Sequence, residues 1–365
     1  MLDSANQKMK LAWLQCARAF AAVYVAAYHA GGSIDPSSSK SIDWFQYVRF
    51  GYAGVDLFFV ISGFIIVFAH YDDLGRPERF ARYAYRRFTR IYPPYWVLFF
   101  CVMPLYFLVP DAGDAHNRDA INLLGGLFLF PVPSRPVIGI AWSLHFEVLF
   151  YGAFGLAILH RRIGLTILGF WLLGVAVHYF LGSSGFYYID FLFSLRILNF
   201  ACGAAVAYVV KKHGLAGNLA WLLPIGLLGL TMAPQILVGP ATYDYDPVWL
   251  RLVYIASSVA MLLGCISLDS ARRTAPRLLV ELGNASYSIY LFHWVVQWII
   301  VAGLRHAHLD HLVPAPVFLM LLCAVMVGGA YVAYLVVEQP LLWLSQTYWQ
   351  RIHKPQGAIL AKATL

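Results

Sequence analysis

The sequence predicts an all-α integral membrane protein with about ten transmembrane helices and both termini in the cytoplasm. Three observations carry that expectation. Only 12% of the 365 residues are charged, 61% are hydrophobic and the mean hydropathy is +0.67, so no ordinary aqueous surface can cover this chain. Blocks of roughly 20 mostly apolar residues, the length that crosses a bilayer as a helix, recur between short polar segments. Lysines and arginines are also shared unevenly between alternate connections, as the positive-inside rule requires of a multispan chain.

The expected spans are 11–31, 51–69, 91–110, 138–159, 163–181, 191–210, 215–238, 248–268, 278–304 and 317–337. A shorter apolar run, 121–131, is too brief to cross and is expected to re-enter or lie at the interface. With the N-terminus inside, 18 lysines and arginines fall on inner segments and 5 on outer ones. The net charge of +8 is then a property of basic inner connections and calls for no nucleic-acid partner. No cleavable signal peptide is visible, because the first apolar block lacks a small-residue cleavage site and carries Arg18 in its middle. The transmembrane domain is expected over 1–345, followed by a short cytoplasmic tail, 346–365.

Ionisable side chains in hydrocarbon cost at least about 2.5 to 3.5 kcal/mol each, so those inside spans are functional candidates. They are Arg18, His29, Asp56, Glu147, His178, Arg196, Arg251, Glu281 and His293. The first span carries Arg18 and His29 eleven residues apart. That separation returns them to nearly one helix face, about 16 Å apart along the axis. The second span, "GYAGVDLFFVISGFIIVF", holds the single acid Asp56 and the small pair Ser62-Gly63. Such a pair allows close backbone approach or passage of a slender ligand.

Between the second and third spans lies "HYDDLGRPERFARYAYRRFTR", with Arg79, Arg82, Arg86, Arg87 and Arg90. Arginines in this density bind phosphates through forked, charge-assisted hydrogen bonds, and equally suit anionic lipid headgroups. Tyr92, Pro93, Pro94 and Tyr95 follow, and the prolines are expected to break the helix start and leave an aromatic wall. In the fourth span, "AWSLHFEVLFY" places Ser143 and Glu147 on one face. Glu147 either orients a catalytic imidazole or neutralises Arg18 or Arg196. The ninth span, opening "ELGNASYSIYLFHW", brings His293 to mid-helix. The five cysteines share no ligand spacing, and the outer "HAHLDH" lacks a helical or cysteine framework, so no metal site is expected.

Six of these segments, in order, resemble the acyltransferase 3 family of integral membrane O-acyltransferases. Arg18 and His29 resemble its basic-x10-His signature. "GYAGVDLFFVISGFI" resembles its Gly-Val-Asp-Phe-Phe-Val-Ser-Gly-Phe block, with Leu57 where phenylalanine is common. Arg87-Phe88-Thr89-Arg90 resembles its Arg-x-x-Arg motif, followed by "IYPPY". "WSLHFE", "YSIYLFH" and Glu338-Gln339-Pro340 resemble its later blocks.

The resemblance implies transfer of an acyl group, usually acetyl, from cytoplasmic acyl-CoA to a sugar hydroxyl at the bacterial inner membrane. The acceptor implied is exopolysaccharide, O-antigen or lipid-linked oligosaccharide, and membrane lipids surround the protein. Some members carry an added extracytoplasmic hydrolase-like domain, which this sequence is expected to lack. On this reading His29 is the general base, with Glu147 or Asp56 orienting it. Arg82, Arg86, Arg87 and Arg90 hold the CoA phosphates, Arg18 touches the donor, and Ser62 gives it room. Trp142, Ser143, Tyr287, Tyr290 and His293 face the acceptor sugar. Oligomeric state is not readable, and a transporter that moves the donor or glycan without chemistry has a similar pattern of buried charge.

Overall fold

The computed structural model describes residues 11–33, 44–109, 113–215, 217–238, 247–308 and 314–353. Fifteen α-helices and no strand occur among the described residues. They are α1 (Ala12–Gly31), α2 (Gly54–His70), α3 (Phe80–Val102), α4 (Leu105–Leu108), α5 (Ala120–Phe128), α6 (Trp142–Leu159), α7 (Arg161–Leu181) and α8 (Tyr187–Leu192). There follow α9 (Arg196–His213), α10 (Leu222–Val238), α11 (Val248–Ser270), α12 (Arg277–Asn284), α13 (Ser286–His306), α14 (Ala315–Ala333) and α15 (Gln339–Ile352). Among the described residues eight helical segments are long and apolar enough to cross a membrane, and α10 is a shorter apolar helix of 17 residues. The chain is an all-α integral membrane protein.

Helix α1 stands apart because Gln15 and Arg18 interrupt its apolar sequence. It is nevertheless the centre of the bundle, packed by α2, α11, α12, α13 and α14. Ala17, Ala21, Ala22, Ala26 and Ala30 are buried along it and let these neighbours approach closely. Its first turn has no local side-chain cap. Asp269, on α11, supplies one instead, accepting from Trp13 N at 2.8 Å and Leu14 N at 3.2 Å. A carboxylate at this position satisfies otherwise orphaned N–H groups and favours the positive end of the helix.

The Gly63 of α2 serves backbone contact. A Cβ there would lie 2.1 Å from Phe200 O on α9, and one on Gly203 of α9 would lie 1.9 Å from Val60 O. Two glycines thus let α2 and α9 pack backbone to backbone.

Three expectations are corrected. The prolines at 93 and 94 do not break the helix: α3 runs through both, and the arginine segment forms its opening turns instead of a loop. Tyr92, Tyr95 and Trp96 instead donate to the carbonyls of Phe128, Gly126 and Leu127 at the end of α5. This bonding docks the short 121–131 run against α3, beside carbonyls that a helix C-terminus leaves unsatisfied. The ninth span divides at Ala285 into α12 and α13, and α15 extends to Ile352, beyond the tenth span's expected end. Lys8, Lys10, Lys40, Lys354 and Lys362, used in the charge count, lie outside the described residues, as do 309–311 of the histidine-rich run. Among the described residues no group of three potential metal ligands occurs.

Candidate active site

A cavity of about 850 Å³, counting its open mouth, lies between α1, α2, α3, α6 and α13. Eight of the residues expected at a site line it: Arg18, Ser62, Arg87, Arg90, Ser143, Glu147, Tyr287 and Tyr290.

The arginines enter from α3, where residues three apart share a face. The Arg87 guanidinium lies 5.4 Å from the Tyr151 ring centroid, and its Nη2 meets His70 Nε2 at 3.2 Å. Arg90 donates from Nη1 to Glu338 Oε1 at 2.9 Å and lies 5.6 Å from the Tyr287 ring. Arg82 and Arg86 are exposed and are not among the cavity walls. From α1, Arg18 donates to Gln15 Oε1 at 3.0 Å, which leaves further guanidinium donors for the cavity.

The wall opposite is one face of α6. Tyr151, Glu147 and Ser143 follow at four-residue intervals, a rise of about 6 Å each. Glu147 Oε1 accepts from the Tyr151 hydroxyl and from Ser62 Oγ at 3.2 Å. Its carboxyl oxygen is therefore held by two hydroxyl groups, and Ser62 acts through a hydrogen bond. One turn further, Ser143 Oγ and Tyr290 OH meet at 2.6 Å, and Tyr290 also donates to Ile140 O at 2.9 Å. This pair closes the far end of the cavity.

The histidines lie beyond that closure. The His293 ring is 6.1 Å from Tyr290 and 5.1 Å from His29, measured between centroids. Ile289 O binds His293 Nδ1 at 2.9 Å, so the buried Nε2 carries no protein partner among the described residues. Gln297 fixes the end of α1 by donating to His29 O at 2.7 Å and Ser33 Oγ at 2.5 Å. Another cavity, about 920 Å³, opens at this end of the bundle, lined by Trp294, Trp298, Tyr106, Asp114, Arg135 and others.

Two expected residues lie elsewhere. Asp56 is buried against α9 and accepts from Asn199 Nδ2 at 3.0 Å. Trp142 packs under Arg196, 4.8 Å from the guanidinium carbon to the ring centroid. Sequence reasoning did not single out Tyr151, His70 or Glu338 as site residues. Tyr151 sits four residues after Glu147 and was within reach of helix periodicity. The roles of His70 and Glu338 depend on contacts between distant helices.

The model of a family described as an acyltransferase domain matches residues 11–335, nearly the whole helical bundle and every residue that lines the cavity. The chain belongs to the acyltransferase 3 family. Membership in that family fits an acyl donor. The chain is similar to the exopolysaccharide production protein ExoZ of Rhizobium meliloti (strain 1021), at 29% identity over 318 residues, covering 80% of this chain and 90% of that protein. It is also similar to the O-acetyltransferase OatA of Staphylococcus aureus (strain NCTC 8325 / PS 47), at 25% identity over 368 residues. That match covers 89% of this chain but 56% of OatA, so the chain spans little more than half of this relative. No solved structure matches.

Proposed function

We propose that this acyltransferase 3 protein moves an acetyl group from cytoplasmic acetyl-CoA to a sugar hydroxyl of an exopolysaccharide or another surface or lipid-linked glycan. It does so in the bacterial inner membrane, with both termini in the cytoplasm. The observation that carries the reading is the line of groups from Arg87 and Arg90, along Tyr151 and Glu147, to the Ser143–Tyr290 closure and the histidine pair behind it. One end is cationic and the other offers imidazole. A donor with a phosphate-rich head and a thin arm ending in a thioester matches that polarity. ExoZ is named for exopolysaccharide production and OatA as an O-acetyltransferase, and both descriptions agree with a glycan hydroxyl as acceptor.

Arg87, Arg90 and Arg18 bind the CoA phosphates at the cationic end, where forked N–H groups suit phosphate oxygens. The pantetheine arm lies along the α6 face. The thioester reaches the histidines once the Ser143–Tyr290 hydrogen bond parts, and the freed Ser143 hydroxyl then faces the reacting carbonyl oxygen as a donor, while Tyr290 keeps its bond to Ile140 O. His29, as neutral imidazole, takes the proton of the acceptor hydroxyl while its oxygen attacks the thioester carbonyl. The C–S bond breaks, CoA leaves as thiolate, and the proton passes back to it from the imidazolium. The acceptor sugar sits in the cavity at the His29 end, where Trp294 and Trp298 offer stacking faces and Asp114 and Arg135 offer hydrogen bonds. Glu147, tied to Tyr151 and Ser62, shapes the donor channel. Asp56, bonded to Asn199, supports α2, the helix that carries Ser62.

Purified protein in lipid nanodiscs supplied with radiolabelled acetyl-CoA and surface glycan tests this function. Release of free CoA with label in the glycan, lost in His29→Ala, is the expected result. Passage of intact donor across the bilayer without CoA release would overturn it in favour of a transporter.

A further inference from the structure

We propose that His70 is a positioning residue for the donor: a neutral imidazole that seats Arg87 in the cavity and releases it on protonation, so that donor affinity falls as the cytoplasmic side acidifies. The inference rests on the donor reading above and adds a residue and a regulation to it.

Hydrogen-bond accounting fixes the tautomer. Arginine has five N–H donors and no acceptor. The 3.2 Å contact from Arg87 Nη2 to His70 Nε2 therefore needs a lone pair on Nε2. The proton must then reside on Nδ1, which donates to Asp73 Oδ2 at 2.8 Å. Only this neutral form satisfies both contacts. The ring is buried and held edge-on to Tyr83, at 5.0 Å between centroids and 90° between planes, so it cannot readily turn away. Arg87 is suspended between His70 and the Tyr151 ring. Its Nε is buried with no protein partner among the described residues, which leaves donor capacity for a ligand.

A proton on Nε2 would convert the acceptor into a second donor aimed at a guanidinium and set two cations against each other. Asp73 offsets the charge but bonds the other nitrogen, so it cannot restore the contact. Among the described residues no other titratable or charged group around the ring makes a hydrogen bond to Arg87. Helix α3 contributes Arg86 and the Tyr83 hydroxyl, which is already donated to Tyr151 O at 2.8 Å. Helix α6 contributes Tyr151, whose hydroxyl is donated to Glu147. Helix α9 contributes Lys211, 4.6 Å from the ring of Phe68, two residues before His70.

The test is equilibrium binding of acetyl-CoA to the full chain in nanodiscs, from about pH 8 to about pH 5.5, the interval that brackets an imidazole. Binding, unlike turnover, does not read the base role of His29. Wild type is expected to lose about tenfold in affinity towards the acid end, the scale of one hydrogen bond to a charged group. His70→Gln places an amide oxygen near the Nε2 position and is expected to rescue binding while flattening the pH dependence; any slope it retains belongs to the CoA phosphates. His70→Asn keeps a group for Asp73 but none for Arg87, and is expected to bind about tenfold more weakly at every pH.

Wild-type affinity in His70→Asn, or a wild-type pH slope in His70→Gln, would overturn the proposal. Should His70→Asn fail to fold, the wild-type and His70→Gln curves decide by themselves. A wild-type protein that binds no acetyl-CoA at any pH defeats the donor reading, and this inference with it.

Discussion

Arg90 on α3 is bonded to Glu338 across the bundle at 2.9 Å, and the second oxygen of that buried carboxylate accepts from Ser288 N at 3.2 Å and Ser288 Oγ at 2.6 Å. One side chain thereby joins three helical segments beside the cavity. It is presented by a single π turn, Tyr334–Glu338, between α14 and α15. Pro340 lies just beyond and has no N–H to return to the preceding turn, and π turns of this kind recur at functional sites.

Replacing Glu338 with alanine strands the Arg90 charge and two Ser288 donors. The Arg90 side chain is 29% exposed, so solvent screens part of the loss. The expected destabilisation is on the order of 2 kcal/mol, below the about 3 to 5 kcal/mol of a fully buried broken pair. Thermal unfolding in nanodiscs measures it, and an unchanged transition would contradict the role assigned to this carboxylate.

Arg87→Ala with Arg90→Ala removes two of the three guanidinium groups at the cationic end of the cavity while leaving Arg18 and the histidine pair in place. Acetyl-CoA affinity is expected to fall by about a hundredfold, the scale of two lost hydrogen bonds to charged groups. Titration calorimetry checks this, and undiminished affinity would eliminate the phosphate cradle. Arg82→Ala and Arg86→Ala, at exposed positions, are expected to change binding by less than about threefold.

His29→Ala is expected to abolish acetyl transfer while keeping acetyl-CoA affinity within about threefold of wild type, because His29 is not a cavity wall. Rapid-quench measurement of CoA release beside equilibrium binding separates the two effects. A variant that still transfers at the wild-type rate would remove the histidine from the chemistry.

Much of this was legible in the sequence, and the physical reason is local. Apolar length announced the helices, and helix periodicity put Ser143 and Glu147 on one face, where the structure shows them lining the same cavity. Arg18 and Tyr287 were likewise found on that cavity, while His29 and His293 were brought together at its far side. What periodicity cannot give is the partner of a buried group on another helix. Asp56 belongs with Asn199, and His70 with Arg87, across sequence gaps that carry no repeat. The Pro93-Pro94 pair misled because proline propensity marks a lost hydrogen bond, whereas α3 is held in place by its neighbours. The break at Ala285 falls in the small, polar cluster Gly283-Asn284-Ala285-Ser286, a turn signal that the apolar stretches on either side outweighed.

Gly203→Val is expected to force α2 and α9 apart, since even a Cβ there would lie 1.9 Å from Val60 O. Overpacking of this kind costs about 1 to 3 kcal/mol or more. Loss of folded yield and a lower unfolding temperature are the expected readouts. A variant as stable as wild type would show that the two helices can separate freely.

The most direct measurement is a density map of the protein bound to a non-hydrolysable acetyl-CoA analogue. Its phosphates are expected within hydrogen-bond distance of Arg87 and Arg90, and the thioester-equivalent carbon between Tyr290 and His29. A ligand seated outside the α1–α2–α3–α6–α13 cavity, or turned with its nucleotide towards the histidines, would contradict this arrangement.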